Sequence, residues 1–212
     1  AGYIAFKGND QGYPINKTVS FVTGSWIVPN VDCSSTPNGY AAIWVGIDGA
    51  YSHTIEQIGT VSKCSNGNAQ YYAWWEIYPN PSKPIISFPV SPGDEIVSEV
   101  EFIGNKKFNL TITNLNTGKT FSKIKKVPDA QRNSAEWIVE DPLGLINPGN
   151  LPNFNSVTFK NAQARIKGTM GKINNPSWRS NEIDLVNQQI LKADTSPLAS
   201  SGDSFNVTWM HS

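Results

Sequence analysis

Helical periodicity is almost absent from this chain. Short runs of Val, Ile, Thr and aromatic residues take its place, bounded by Gly, Pro and Asn. These runs predict strands at Val19–Val28, Ala41–Asp48, His53–Ser62, Ala69–Tyr78, Glu95–Ile103 and Lys107–Thr113. Further strands are predicted at Thr120–Val127, Ser134–Glu140, Ser156–Phe159, Ala164–Gly168, Glu182–Leu185 and Phe205–Trp209. Asn116-Thr117-Gly118 separates two of them and reads as a hairpin turn, Gly118 being free to take positive φ. Only Asp129–Arg132 reads as a helical turn. No internal repeat is present. Many short strands at close spacing predict an all-β, two-sheet sandwich. Pro79–Pro92 and Pro142–Pro152 are too punctuated for strands and read as long loops, where function tends to sit on a rigid sandwich.

The length, 212 residues, suits one sandwich domain. The expectation is a single catalytic domain over residues 1–212, in a mature form without a pro-segment, since the sequence starts at Ala1 rather than Met. Basic and acidic residues number 17 each, so the net charge is zero, which argues against nucleic acid as the main partner. The apolar content excludes disorder. The longest apolar stretch, Tyr40–Ile47, is far short of the ~18 residues of a membrane helix, so no membrane partner is expected. Five lysines, Lys106, Lys107, Lys123, Lys125 and Lys126, fall in one predicted hairpin and read as a solvated strand face that discourages edge pairing. Charged residues are 16% of the chain, against roughly 25% in an average domain. With abundant Ser, Thr and Asn, this points to secretion, where a Cys33–Cys64 disulfide would persist. Two buried thiols are the other reading of that pair. Asn16, Asn109 and Asn206 head N-x-S/T sequons.

Polar residues inside the apolar strands carry the candidate chemistry. Residues i and i+2 of a strand share a face. Trp44, Gly46 and Asp48 therefore share one, as do His53, Ile55, Gln57 and Gly59. Tyr72, Trp74, Glu76 and Tyr78 share another, and Ser134, Glu136, Ile138 and Glu140 another, opposite Ala135, Trp137 and Val139. A buried carboxylate or amide costs stability unless it is hydrogen-bonded or faces a wet cleft. Two readings follow: one cleft lined by Trp44, Asp48, Gln57, Glu76 and Glu136, or separate side chains facing solvent. The two histidines, His53 and His211, sit in no triad motif, and the two Cys and two His lack the short spacing of a zinc site. No P-loop or dinucleotide fingerprint occurs. Carboxyl chemistry remains.

An ordered set of segments resembles the glutamic peptidases, or eqolisins, a family of acid endopeptidases. The segments are Ser25-Trp26-Ile27-Val28-Pro29, Trp44-Val45-Gly46-Ile47-Asp48-Gly49, Gln57-Ile58-Gly59 and Ala73-Trp74-Trp75-Glu76-Ile77-Tyr78-Pro79. Ala135-Glu136-Trp137-Ile138-Val139-Glu140-Asp141 and Val157-Thr158-Phe159 with Asn161-Ala162 complete the set. The resemblance implies a concanavalin A-like sandwich of two large, bent antiparallel sheets. It implies a catalytic pair at Gln57 and Glu136, with Trp44, Asp48, Tyr72, Trp74, Glu76 and Glu140 binding substrate or supporting the pair. It implies a secreted endopeptidase insensitive to pepstatin, without metal or cofactor, taking a protein or peptide substrate in an extended cleft. Glu136 would act as general base on water and then as acid to the leaving amine. Gln57 would orient the water and stabilise the oxyanion. Trp75 and Trp137, on the opposite strand faces, are expected in the core, and a monomer is expected. The fungal members of the family are strongly acidic, whereas this chain is neutral. A glycosidase using Glu76 and Glu136, or a lectin-like binding module, are the alternatives on such a sandwich.

Overall fold

The computed structural model describes residues 1–50, 52–142 and 150–212. Most of the Pro142–Pro152 loop, residues 143–149, therefore lies outside the described residues. The described residues form sixteen strands and no helix. They are β1 (Gly2–Phe6), β2 (Val19–Ile27), β3 (Gly39–Asp48), β4 (Ile55–Ser65), β5 (Asn68–Tyr78), β6 (Lys83–Pro84), β7 (Glu95–Phe102) and β8 (Lys107–Asn114). There follow β9 (Lys119–Lys126), β10 (Ala135–Glu140), β11 (Ser156–Ile166), β12 (Thr169–Lys172), β13 (Arg179–Ile183), β14 (Leu185–Asn187), β15 (Ile190–Thr195) and β16 (Phe205–Trp209). Seven strands make one sheet in the order β13-β1-β10-β3-β4-β5-β6. Nine make the other, β14-β15-β16-β11-β2-β7-β8-β9 with β12 on β11. All pairings between these strands are antiparallel. The fold is a β-sandwich.

The main core lies between the sheets. In β8, Phe108, Leu110 and Ile112 are buried and alternate with partly exposed polar residues. Trp137 and Trp75 lie in this core, as expected, and Trp137 donates its indole N–H to the Thr23 carbonyl at 2.7 Å. β3 is buried along almost its whole length because it is covered on both faces. Its second cover is a smaller apolar cluster of Ala42, Trp44, Val61, Trp74 and Ile138, joined by Tyr40, Ile55 and Tyr72. That cluster lies on the outer face of the seven-stranded sheet, since its strand residues alternate with those of the main core.

Several elements differ from expectation. β4 begins at Ile55, so His53 lies in an exposed turn and shares no strand face with Gln57. β11 is one strand where two were predicted; a register shift between Lys160 and Gln163, with Asn161 at φ 52°, hides its continuity in the pattern. Asp129–Arg132 is a turn and not helical, with Arg132 at φ 52°. The Pro79–Pro92 segment contains the two-residue edge strand β6. The lysine hairpin forms around Gly118 at φ 70°. Lys123 and Lys125, however, pair with buried Leu110 and Phe108 and so face inward on an edge strand. Their ammonium groups lie 5.9 and 5.3 Å from the Trp75 ring centre. Cys33 and Cys64 form a disulfide.

Candidate active site

Directly paired antiparallel residues share a face. The registers therefore align one row across five strands of the seven-stranded sheet: Ile4, Glu136, Gly46, Gln57 and Glu76. A second row holds Ile138, Trp44, Gly59, Trp74 and Pro84. A third holds Glu140, Ala42, Val61 and Tyr72. Of the two sequence readings, the structure therefore supports the shared surface. Trp44, Tyr72, Trp74, Glu76, Glu136, Glu140 and Gln57 lie together on the outer face.

Glu136 and Gln57 flank Gly46, two strand spacings apart, or roughly 10 Å at the backbone. Gly46 places no side chain between them. A Cβ there would lie 3.0 Å from the Trp44 ring and 3.2 Å from the Gln57 Cβ. The Gln57 amide donates from Nε2 to Glu76 Oε2 at 2.5 Å. Among the described residues, the buried Gln57 Oε1 has no donor and the second Nε2 hydrogen has no acceptor. Trp74 Nε1 is a buried donor without an acceptor among the described residues, while the Trp44 indole N–H faces Glu140 and favours its ionised form. Buried polar atoms left open in this way are unusual and mark where a ligand or water completes the bonding.

Glu136 is 4% exposed. Its Oε1 accepts the Ala50 N–H at 2.7 Å and the Ser134 hydroxyl at 2.9 Å, while Oε2 accepts no hydrogen bond among the described residues. Burial pushes its carboxyl up to about 8 against the pull of those two donors. Burial also raises Glu76, against the Gln57 hydrogen bond. Glu140 is pushed up to about 7 by burial, tempered by the Ala1 ammonium.

Asp48 departs from the shared surface. It ends β3 at φ 70° and turns its carboxylate to the 131–133 segment. Oδ2 accepts the Gln131 and Arg132 N–H groups and Oδ1 that of Asn133, each at 2.8 Å. This segment leads directly into Ser134 and β10, so Asp48 acts on Glu136 through the backbone.

The peptidase A4 family matches residues 8–209. The chain belongs to this family. It is a glutamic peptidase of the type its segments resemble. Aspergillopepsin-2 of Aspergillus niger is 34% identical over 213 residues, which span 89% of this A4 peptidase and 72% of that protein. The crystal structure of aspergilloglutamic peptidase from Aspergillus niger matches with TM-score 0.72 and 31% identity, over 81% of this chain and 99% of that one. Scytalido-glutamic peptidase, crystallised with a transition state analog inhibitor, matches with TM-score 0.80 over 99% of this chain and 97% of that one. Its 22% identity makes that likeness one of fold.

Three parts of this A4 peptidase's site were not foreseen. Ala50 contributes a backbone N–H, which leaves no side-chain signal. Gly49 lies against Glu136, where a Cβ would come within 2.6 Å of Oε2. Glu56, next to Gln57, is fully buried and faces the core, with the Thr54 side chain as its polar neighbour. An acidic residue within an apolar strand was the available signal for it.

Proposed function

We propose that this A4 peptidase is a secreted acid endopeptidase working through Gln57 and Glu136. The observation that carries the reading is the gap over Gly46, with open acceptor atoms on both sides: Gln57 Oε1 and Glu136 Oε2. A water in that gap can donate one hydrogen to each. Ionised Glu136 takes its proton as the oxygen attacks the scissile carbonyl carbon. The carbonyl oxygen becomes an oxyanion and accepts the Gln57 N–H that Glu76 leaves free. Glu76 holds the Gln57 amide in that orientation. Glu136 then gives the proton to the leaving nitrogen, the C–N bond breaks, and a carboxyl and an amine product separate. Trp44, Trp74 and Tyr72 offer apolar and N–H contacts to an extended peptide, with Glu140 at the edge of that surface. The whole row comes from one chain, consistent with a single-domain monomer, and the disulfide fits an oxidising compartment.

A glycosidase would need two carboxyl groups roughly 5–9.5 Å apart. Glu76 and Glu136 sit three strand spacings apart, about 14 Å at the backbone, and Glu76 is already engaged by Gln57.

The base must be ionised, so activity rises with pH through the pKa of Glu136. Burial raises that pKa above the ordinary carboxylate range, so turnover in acid requires that donors reaching Oε2 bring it down. Substrate and water place donors on Oε2 and lower it. The acid limb of kcat, which reports the complex, is therefore expected at lower pH than that of kcat/KM, which reports the free enzyme. The test is digestion of an unfolded protein between pH 2 and 8 with pepstatin present, followed by rate profiles on one peptide. Pepstatin-resistant internal cleavage with separated limbs supports the reading. A folded sample that cleaves nothing at any pH overturns it.

A further inference from the structure

The catalytic row continues past Glu136. Ile4 of β1 pairs with Glu136 on one side and with Asn181 of β13 on the other. A pocket of about 700 Å³ opens here, lined in part by Ile4, Phe6, Ala50, Asn181 and Ile183. Ala50 is the residue whose N–H holds Glu136, so one wall of the pocket is in contact with that carboxyl. Phe6 is 4% exposed yet lies outside the core between the sheets. It lies two residues beyond Ile4, on the outer face.

The direction of the substrate follows from the roles in the row, and the inference rests on that reading. Gln57 holds the carbonyl oxygen and Glu136 protonates the leaving nitrogen. The scissile bond therefore points from β4 toward β10, across the strands, and the amine-side half of the peptide runs on over β1 and β13. Ile4 lies about 10 Å from Gly46, two strand spacings away, which an extended peptide covers in roughly three residues. The walls that this stretch meets are mainly Ile4, Phe6, Ala50 and Ile183. Glu182 also lines the pocket, but its side chain belongs to the opposite face of β13, where it accepts the Tyr3 hydroxyl at 2.5 Å.

We propose that this pocket is the subsite for an apolar side chain two or three residues past the scissile bond, on the amine side. Ile4 forms its floor, and Asn181 is the polar contact at its far edge. The residue that enters is selected by size and apolarity.

The test is a set of peptides sharing one cleavage site, with Leu, Ala, Asp or Lys at the second or third residue after it. Wild type is expected to favour Leu over Ala and Asp by ~10-fold in kcat/KM at one of these positions. Ile4→Ala should reduce that preference to a few-fold. Asn181→Arg, at an exposed site on an edge strand, should create a preference for Asp at the same position. Such a gain cannot arise from misfolding. Cleavage by wild type with no preference at either position overturns the proposal, as does an unchanged profile in both variants. If folded wild type cleaves none of the peptides, the dyad reading falls and the subsite with it.

Discussion

Gly46 and Gly49 shape the proposed catalytic gap by what they lack. At Gly46 the missing side chain keeps open the space between Gln57 and Glu136. At Gly49, φ is 120° and an added Cβ would stand 2.6–2.9 Å from the Glu136 carboxyl atoms. Gly49→Ala is therefore strained by conformation and by contact at once. It should displace Glu136 and lower kcat by at least ~10-fold, and the strain should cost roughly 1–3 kcal/mol of stability. A folded Gly49→Ala protein with wild-type kcat would show that the Ala50 turn does not position Glu136. Single residues were partly legible in the sequence. Polar residues at alternate positions of apolar strands pointed to Gln57, Glu76 and Glu136. The Ala50 N–H was not legible, because a backbone donor has no residue preference, and neither was the turned carboxylate of Asp48, which depends on a positive φ.

At the scale of elements, β10 owes its position to Asp48. Three backbone N–H groups of the 131–133 segment end on that one carboxylate, and the next residue, Ser134, bonds Glu136. Asp48→Ala leaves those donors unpaired in a buried setting and should cost at least about 2 kcal/mol of stability. It should also reduce kcat, since the Ser134 hydroxyl shifts with the segment. Denaturant melts and peptide kinetics on the same preparation check both; unchanged stability would mean that the segment is held by other contacts. The long strands β2 to β5 and β7 to β10 were legible because each carries its own alternation. β1, β6, β12 and β15 were missed, and the strand predicted at Glu182–Leu185 straddles the end of β13 and the start of β14, all of them short and dependent on partners elsewhere for their pairing. The register that aligns Glu136, Gly46 and Gln57 in one row was also hidden, since it belongs to pairs of strands rather than to any one of them.

The whole molecule stores an unusual amount of carboxylic acid in neutral surroundings. Burial raises Glu56 to about 9, with the Asp48 charge adding to it, Glu136 to about 8 and Glu140 to about 7. Unfolded glutamates titrate near ~4.3. Between those values the folded state binds more protons than the unfolded one, so stability is greatest in acid and declines as pH rises from about 4.5 toward 9. Each group contributes at most about 1.4 kcal/mol per pH unit across its own window. The buried Ala1 amine, lowered to about 5, opposes the trend between pH 5 and 8, one group against three. Thermal melts should therefore fall from pH 5 to pH 8.5. Glu56→Leu removes this core carboxyl and should narrow that difference, mostly above pH 7. An equal difference in the variant would show that Glu56 does not carry this linkage.

The division of labour across Gly46 is tested most directly by the turnover of one good peptide in wild type, Glu136→Gln and Gln57→Ala, each shown to be folded. Loss of the base should abolish turnover in Glu136→Gln. Loss of the oxyanion donor should lower kcat by ~10²–10³ in Gln57→Ala, with a smaller effect on KM. Wild-type turnover in either folded variant would contradict the Gln57–Glu136 mechanism.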